Sequence, residues 1–219
     1  MTKEELKSII AAVPEAHRPA MEGARRRQAE LAKPPGSLGK LEDISIRLAG
    51  ITGKVCSRTE KCRVLVFAAD NGVLTEGVSS APESVTLSQT VNMTRHITGM
   101  SCMARYFGDE LVVTDVGIRS DVRCPAVVDR KIRRATGNIA VEPAMTEEEA
   151  LRAIEAGMEA AARAKAEGVE AIGVGEMGIG NTTTSAAVLA ALTGKTPQEV
   201  TGRGGGLTDA AFEKKKEVI

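Results

Sequence analysis

Four closely spaced glycines and the four polar residues after them form the part of this sequence best suited to hold an anion. The glycines are Gly173, Gly175, Gly178 and Gly180, and the polar residues are Asn181, Thr182, Thr183 and Thr184. The apolar run at 170–174 predicts a buried strand before them, and the segment 185–194 predicts a buried helix after them. Glycine lets the main chain approach a ligand closely, and the first N–H groups of a helix attract negative charge. The pattern therefore predicts a phosphate site in a turn between a strand and a helix.

A carboxylate, Glu176, lies inside the same predicted turn. A negative side chain beside a bound phosphate would repel it. We therefore expect Glu176 to face a different part of the substrate.

Two other interpretations of this stretch are open. Many α/β proteins use glycines only to make a tight corner between a strand and a helix. The run from Gly173 to Gly178 also matches the dinucleotide-binding pattern G-x-G-x-x-G, which expects an acidic residue about 20 residues further on, at the end of the next strand. Here that region holds Glu199 near a proline and no evident strand, so a nucleotide- or dinucleotide-binding module without chemistry ranks second.

Composition limits the possible classes of protein. The chain has 219 residues, of which 42% are hydrophobic, and this suffices for a sizeable α/β core. Its 29 basic and 29 acidic side chains balance, which argues against a nucleic-acid partner or an anionic membrane surface. No run approaches the 18 apolar residues of a membrane span. The four cysteines form no C-x-x-C pair, which argues against a structural zinc site and favours a reducing, cytoplasmic location.

The order of predicted elements indicates an α/β fold. Helices are expected at 3–13, 14–32 and 41–53, and they form a small helical subdomain at 1–58. An α/β domain at 59–219 follows, with strands at 63–69, 111–117 and 170–174 and helices at 86–99, 146–168 and from 209 onward. Alternating strands and helices predict a mainly parallel, Rossmann-like sheet with helices on both faces.

Ligands of parallel sheets bind beyond the carboxyl ends of the strands. Asp70 and Asp115 stand at or just past two predicted strand ends, and the loop 175–181 follows a third. Thr86 is predicted to cap the helix 86–99, whose first turn carries Gln89, able to face the same cleft. The alternative interpretation is that Asp70 only caps its own turn.

The end of the chain carries a second glycine loop and a basic cluster. The loop spans 201–206 and includes Gly204, and Lys214, Lys215 and Lys216 lie on the helix after it. The last residues, Val218 and Ile219, continue an apolar helical pattern without a capping residue. This ending predicts that the natural protein continues beyond residue 219.

Several blocks, in order, resemble the nicotinate-nucleotide–dimethylbenzimidazole phosphoribosyltransferase family over about residues 20–219. They are KPPGSLGKLEDISIRLAGITG, VFAADNGVLTEGVSSAPESVTLSQTVN, VVTDVGI, EPAMT, GVGEMGIGNTTTSAAVLAALTG and VTGRGGGLTDA. The resemblance implies transfer of phosphoribose from nicotinate mononucleotide to 5,6-dimethylbenzimidazole, with inversion at C1′, to give α-ribazole 5′-phosphate and nicotinate. It also implies a homodimer and no requirement for a metal or cofactor.

The resemblance assigns expected roles to particular residues. Glu176 matches a glutamate near the reacting centre, and Lys215 is the best match to a lysine that contacts phosphate beside Gly178 and Gly204. Asp70 and Gln89 match positions beside the base pocket, whose walls would include Val78, Pro82 and Val85.

Three positions depart from the family pattern: Asn71 replaces a frequent histidine, Ala81 a serine that can contact the base, and Ala135 a glycine. The family's principal general base is a glutamate in the C-terminal third, beyond residue 219. The resemblance therefore predicts that these 219 residues retain part of the phosphate site with little or no activity.

Overall fold

The computed structural model describes all 219 residues and divides them into two compact units, Thr2–Glu60 and Lys61–Ile219, the second of which includes Met1. The first unit contains three helices: α1 (Lys3–Ala11), α2 (Arg18–Glu30) and α3 (Lys40–Thr52). Thr2 and Glu5 form a capping box at the start of α1. The α2–α3 contact is made by small side chains, Ala20, Ala24 and Ala49, with Ile46 packed against them.

The second unit is built on four strands. In chain order its elements are β1 (Cys62–Ala69), a 3-10 turn (Gly72–Glu76), α4 (Ser84–Thr94), α5 (Gly99–Phe107), β2 (Glu110–Gly117), β3 (Val127–Asp129), α6 (Glu147–Ala166), β4 (Ala171–Met177), α7 (Asn181–Thr193), α8 (Pro197–Val200) and α9 (Asp209–Val218). All neighbouring strands are parallel, in the order β3-β2-β1-β4. The predicted parallel α/β fold is confirmed.

The strand order produces a crevice between β1 and β4. From β1 the chain moves outward through β2 to β3, and it then crosses to the other side of β1 to form β4. Right-handed connections that run in opposite directions place α4 and α5 on one face and α6 on the other. Ligands of such sheets bind where the direction reverses, here at the carboxyl ends of β1 and β4.

The register of β1 and β4 places their carboxyl ends side by side. Phe67 pairs with Glu176, and Ala68 pairs with Met177. Continued by one residue, this register places Ala69, the last residue of β1, level with Gly178, and Asp70 follows directly.

Several predicted boundaries differ from the structure, among them the start of α2, which lies four residues later than expected. The strand expected at 170–174 reaches Met177, and the helix expected from 185 starts at Asn181; the prediction that both are buried is wrong, because β4 has no buried residue and α7 only two. The helix expected at 86–99 is two helices, because His96 adopts a left-handed backbone with φ of 57° and Thr98 caps a new helix. Thr86 lies inside α4, which begins at Ser84, so the prediction that it caps this helix is wrong.

None of the helices combines the length and the apolarity that crossing a bilayer requires. All four cysteines are free thiols.

Candidate functional site

Asp70 lies buried just beyond β1, with 3% of its surface exposed. Its Oδ2 accepts a hydrogen bond from the backbone N–H of Arg119, after β2, at 2.8 Å. Its Oδ1 makes no hydrogen bond of standard geometry, although the hydroxyl of Thr86 is close enough to favour the ionised acid. Burial dominates and raises the pKa of the Asp70 carboxyl above its ordinary value, and nearby Glu83 adds to the increase.

Asp115, the other predicted strand-end carboxylate, is occupied by its own loop. Its Oδ1 accepts from the backbone N–H groups of Gly117 and Ile118, at 3.0 and 2.8 Å. Its Oδ2 lies 3.1 Å from the ammonium of Lys131. These bonds satisfy the carboxylate, so its role is to hold the loop after β2.

The turn between β4 and α7 is three residues long, Gly178 to Gly180, and it packs tightly against the end of β1. A Cβ on Gly178 would stand 2.3 Å from the carbonyl oxygen of Ala69, so only glycine fits there. Gly180 adopts φ of 89°, a conformation that also favours glycine.

Side chains from other elements hold the middle of this turn. The N–H of Ile179 donates to Thr86 Oγ1 at 3.0 Å, and its carbonyl accepts from Asn71 Nδ2 at 3.1 Å. The N–H groups of Gly180 and Thr182 make no hydrogen bond within the chain. Unpaired N–H groups of this kind are typical of the start of a helix; Thr182 is exposed and Gly180 is buried.

Lys215 joins the second glycine loop to the first. Its side chain is fully buried, and Nζ donates to Thr182 Oγ1 at 2.7 Å and to the carbonyl of Gly202 at 3.0 Å. A Cβ built on Gly204 would lie 2.8 Å from Thr182 Oγ1 and 3.5 Å from Lys215 Nζ. The two glycine loops, which are far apart in the sequence, therefore meet at one place.

This lysine has no acidic partner. Its two acceptors are a hydroxyl and a carbonyl, and no carboxylate lies within ion-pair distance. Burial lowers the pKa of the Lys215 ammonium below its ordinary value. A buried cation without a counter-charge is costly, and an anion bound beside it would remove that cost. The backbone N–H groups of residues 202–205 also make no hydrogen bond within the chain.

Glu176 lies on β4 and not in the turn where the sequence pattern placed it, because the strand continues to Met177. The carboxylate is exposed, and its Oε1 accepts a hydrogen bond from Asn181 Nδ2 at 2.5 Å. Glu176 and Asn181 thus stand as a pair at the rim of the crevice.

The predicted base-pocket residues occupy one region of the chain but differ in burial. Val78 is buried, Val85 and Gln89 are half-buried, and Pro82 is exposed. Gln89 lies in the second turn of α4 and not in the first turn, where the sequence pattern placed it. Ser80, which the sequence did not single out, donates from Oγ to the carbonyl of Gly205 at 3.2 Å.

The structure argues against a dinucleotide-binding site at the run from Gly173 to Gly178. Gly173 and Gly175 lie within β4, although the fingerprint requires its first glycines in the turn that follows a strand.

Comparisons with known proteins agree on one family. A family model described as "Phosphoribosyltransferase" matches residues 13–219. The nicotinate-nucleotide–dimethylbenzimidazole phosphoribosyltransferase of Clostridium perfringens (strain ATCC 13124) is 54% identical over 196 residues, which cover 90% of this chain and 54% of that protein. The enzyme of the same name from Ruminiclostridium cellulolyticum is 45% identical over 219 residues, or 100% of this chain and 61% of that protein.

A solved structure shares the fold. The crystal structure of CobT from Thermus thermophilus superposes with a TM-score of 0.86 at 42% identity, covering 91% of this chain and 60% of that one. The chain thus spans between about half and two thirds of the length of these relatives. It belongs to the phosphoribosyltransferase family of the nicotinate-nucleotide–dimethylbenzimidazole phosphoribosyltransferases.

Proposed function

We propose that the crevice at the ends of β1 and β4 binds nicotinate mononucleotide, with its 5′-phosphate beside Lys215. The observation that carries this proposal is the buried ammonium of Lys215, which lies against both glycine loops without a carboxylate partner. Phosphate would receive hydrogen bonds from this ammonium, from N–H groups of Gly180, Thr182 and Gly204, and from the hydroxyl of Thr182. Gly178 contributes by letting the turn pack against β1.

The proposed reaction exchanges the heterocycle on the sugar. The bond between ribose C1′ and the nicotinate nitrogen breaks, and a nitrogen of 5,6-dimethylbenzimidazole bonds to C1′ from the opposite side. The incoming ring loses its N–H proton to a general base, and α-ribazole 5′-phosphate and nicotinate result. We assign Glu176 to the region of C1′, where its negative charge would stabilise positive charge that develops on the sugar. We assign Asp70 and Gln89 to the base side of the crevice.

Titration with nicotinate mononucleotide and with nicotinate riboside, which lacks the phosphate, tests the binding step. We expect the mononucleotide to bind at least tenfold more tightly, since a charge-assisted hydrogen bond contributes about 1.5–3 kcal/mol. Equal affinity for the two compounds would refute the phosphate assignment. Because the chain covers only part of its relatives' length, the binding measurement carries more information than turnover.

We further propose a homodimer in the cytoplasm. Exposed apolar side chains of α3, Leu41, Ile44 and Ile51, offer a surface for self-association. Four free thiols fit a reducing compartment. Light scattering at several concentrations tests the dimer, and a monomer at all of them would contradict it.

A further inference from the structure

A buried hydroxyl on α4 contacts the turn that carries the proposed phosphate ligands. Thr86 has no exposed surface, and its Oγ1 accepts the N–H of Ile179, 93 positions away in the sequence, at 3.0 Å. Ile179 lies between Gly178 and Gly180, so this bond holds the middle of the turn from the side of α4.

Thr86 also faces the end of β1. Its hydroxyl is a neighbour of the Asp70 carboxylate, although no hydrogen bond of standard geometry joins the two. One oxygen of Asp70 accepts from Arg119 in the loop after β2. Thr86 therefore lies between the turn after β4, to which it is bonded, and the carboxylate that follows β1.

The position of β4 makes this connection important. β4 is at the edge of the sheet, and Val174 on it is 81% exposed. The turn after β4 is consequently held from its inner side, by Thr86 at the N–H of Ile179 and by Asn71 at its carbonyl. Because the N–H and the carbonyl of Ile179 are both bonded, the peptide groups on either side of its Cα are held, and the N–H groups of Gly180 and Thr182 keep a defined place beside Lys215.

We propose that Thr86 is a positioning residue for the phosphate site: it touches no substrate, and it sets the location of the N–H groups that do. The proposal rests on the proposed function for its effect on nucleotide binding. Its structural part, the order of the turn, can be measured without any ligand.

The chain offers a matched control in the same helix. Thr90 is also fully buried, but its hydroxyl donates to the carbonyl of Thr86, a bond within α4. Thr86→Val and Thr90→Val therefore remove the same atom from equally buried positions, and only the first leaves Ile179 without its acceptor. Thr86→Ser keeps the hydroxyl and should restore the wild-type behaviour.

Two measurements on the full chain test the proposal: amide exchange at Ile179 by NMR, and calorimetric titration with nicotinate mononucleotide. We expect Thr86→Val to accelerate exchange at Ile179 and to weaken nucleotide binding, each about tenfold or more. This is the size of effect expected when one buried N–H donor loses its acceptor. Thr86→Ser and Thr90→Val should remain within about threefold of wild type in both. If Thr86→Val does not fold, Thr86→Ala replaces it.

Wild-type exchange at Ile179 in the valine variant would overturn the proposal, and so would an equal effect of Thr90→Val. If the wild-type chain does not bind the nucleotide, the proposed function is wrong. The exchange data alone then decide whether Thr86 orders the turn.

Discussion

Lys215 and Thr182 are 33 positions apart, and their side chains are joined by a hydrogen bond of 2.7 Å between Nζ and Oγ1. This contact brings α9 and its preceding glycine loop to the first turn of α7. It brings two glycine loops together at one place, which we propose as the phosphate site, although each loop alone would be an ordinary turn.

Replacement of Lys215 by methionine should weaken binding of nicotinate mononucleotide by about 10- to 100-fold, because a charged hydrogen-bond donor to phosphate is lost. The free energy of unfolding should stay unchanged or rise, since a buried cation without a counter-charge is replaced by an apolar chain of similar size. Calorimetry and urea unfolding measure the two effects.

Lys214→Met is the control, because Lys214 lies on the same helix with half of its side chain exposed. It should leave the affinity for nicotinate mononucleotide within about twofold of wild type, because salt screens the interaction of an exposed charge with the ligand. Equal losses in both variants would mean that only the general positive charge of α9 matters.

Gly178→Ala should destabilise the fold by about 1–3 kcal/mol, because the new methyl group would overlap the backbone at Ala69. Gly157→Ala is the same substitution in α6, at a site with nothing within 4 Å of the new atom, and it should stabilise by up to about 1 kcal/mol. Urea unfolding of both variants shows whether each substitution lowers or raises the free energy of unfolding. A stable Gly178→Ala protein with wild-type nucleotide affinity would contradict the close packing of this turn.

Asp70 should make stability depend on pH in the acid range. Burial raises its folded-state pKa above the ordinary value of 3.8, so the folded protein binds the proton more tightly than the unfolded chain does. This contribution to stability is fully present below pH 3.8 and is lost as the pH rises through the raised pKa. Asp70→Asn should lack it, so the stability of wild type relative to the variant should fall as pH increases across that window. A constant difference in urea unfolding would show that the pKa of Asp70 is not raised.

Glu176→Gln separates the two parts of the proposed ligand. Glutamine keeps an oxygen for the hydrogen bond from Asn181, so the local structure should persist. Affinity for inorganic phosphate should stay within about twofold, while affinity for nicotinate mononucleotide should fall several-fold, because in the proposed complex the carboxylate faces the sugar and not the phosphate. Glu148→Gln, at an exposed position in the first turn of α6, is the control. A marked gain in phosphate affinity would place Glu176 at the phosphate itself.

Much of the fold could be predicted because its long elements carry strong patterns. The apolar strands β1 and β2, and α6 with its capping box, lie within three residues of their predicted bounds. β3 has only three residues, too few to show a period. The break between α4 and α5 depends on the left-handed backbone of His96, a residue that sequence patterns do not expect there.

Less of the candidate site could be predicted from the sequence. Glycines and hydroxyls predict an anion site through local geometry, and that part needs no tertiary information. Which of three consecutive lysines turns inward depends on how α9 packs, and burial distinguishes Lys215 only in the folded chain. The contact of Thr86 with Ile179 joins residues 93 apart. No sequence pattern predicts such a contact for a buried threonine in a helix.

A crystal structure of this chain soaked with nicotinate mononucleotide tests the central claim most directly. We predict a phosphate oxygen within hydrogen-bond distance of Lys215 Nζ and of the N–H groups of Gly204 and Thr182, with ribose C1′ on the side of Glu176. A phosphate bound elsewhere, with Lys215 still bonded only to Thr182 and Gly202, would contradict it.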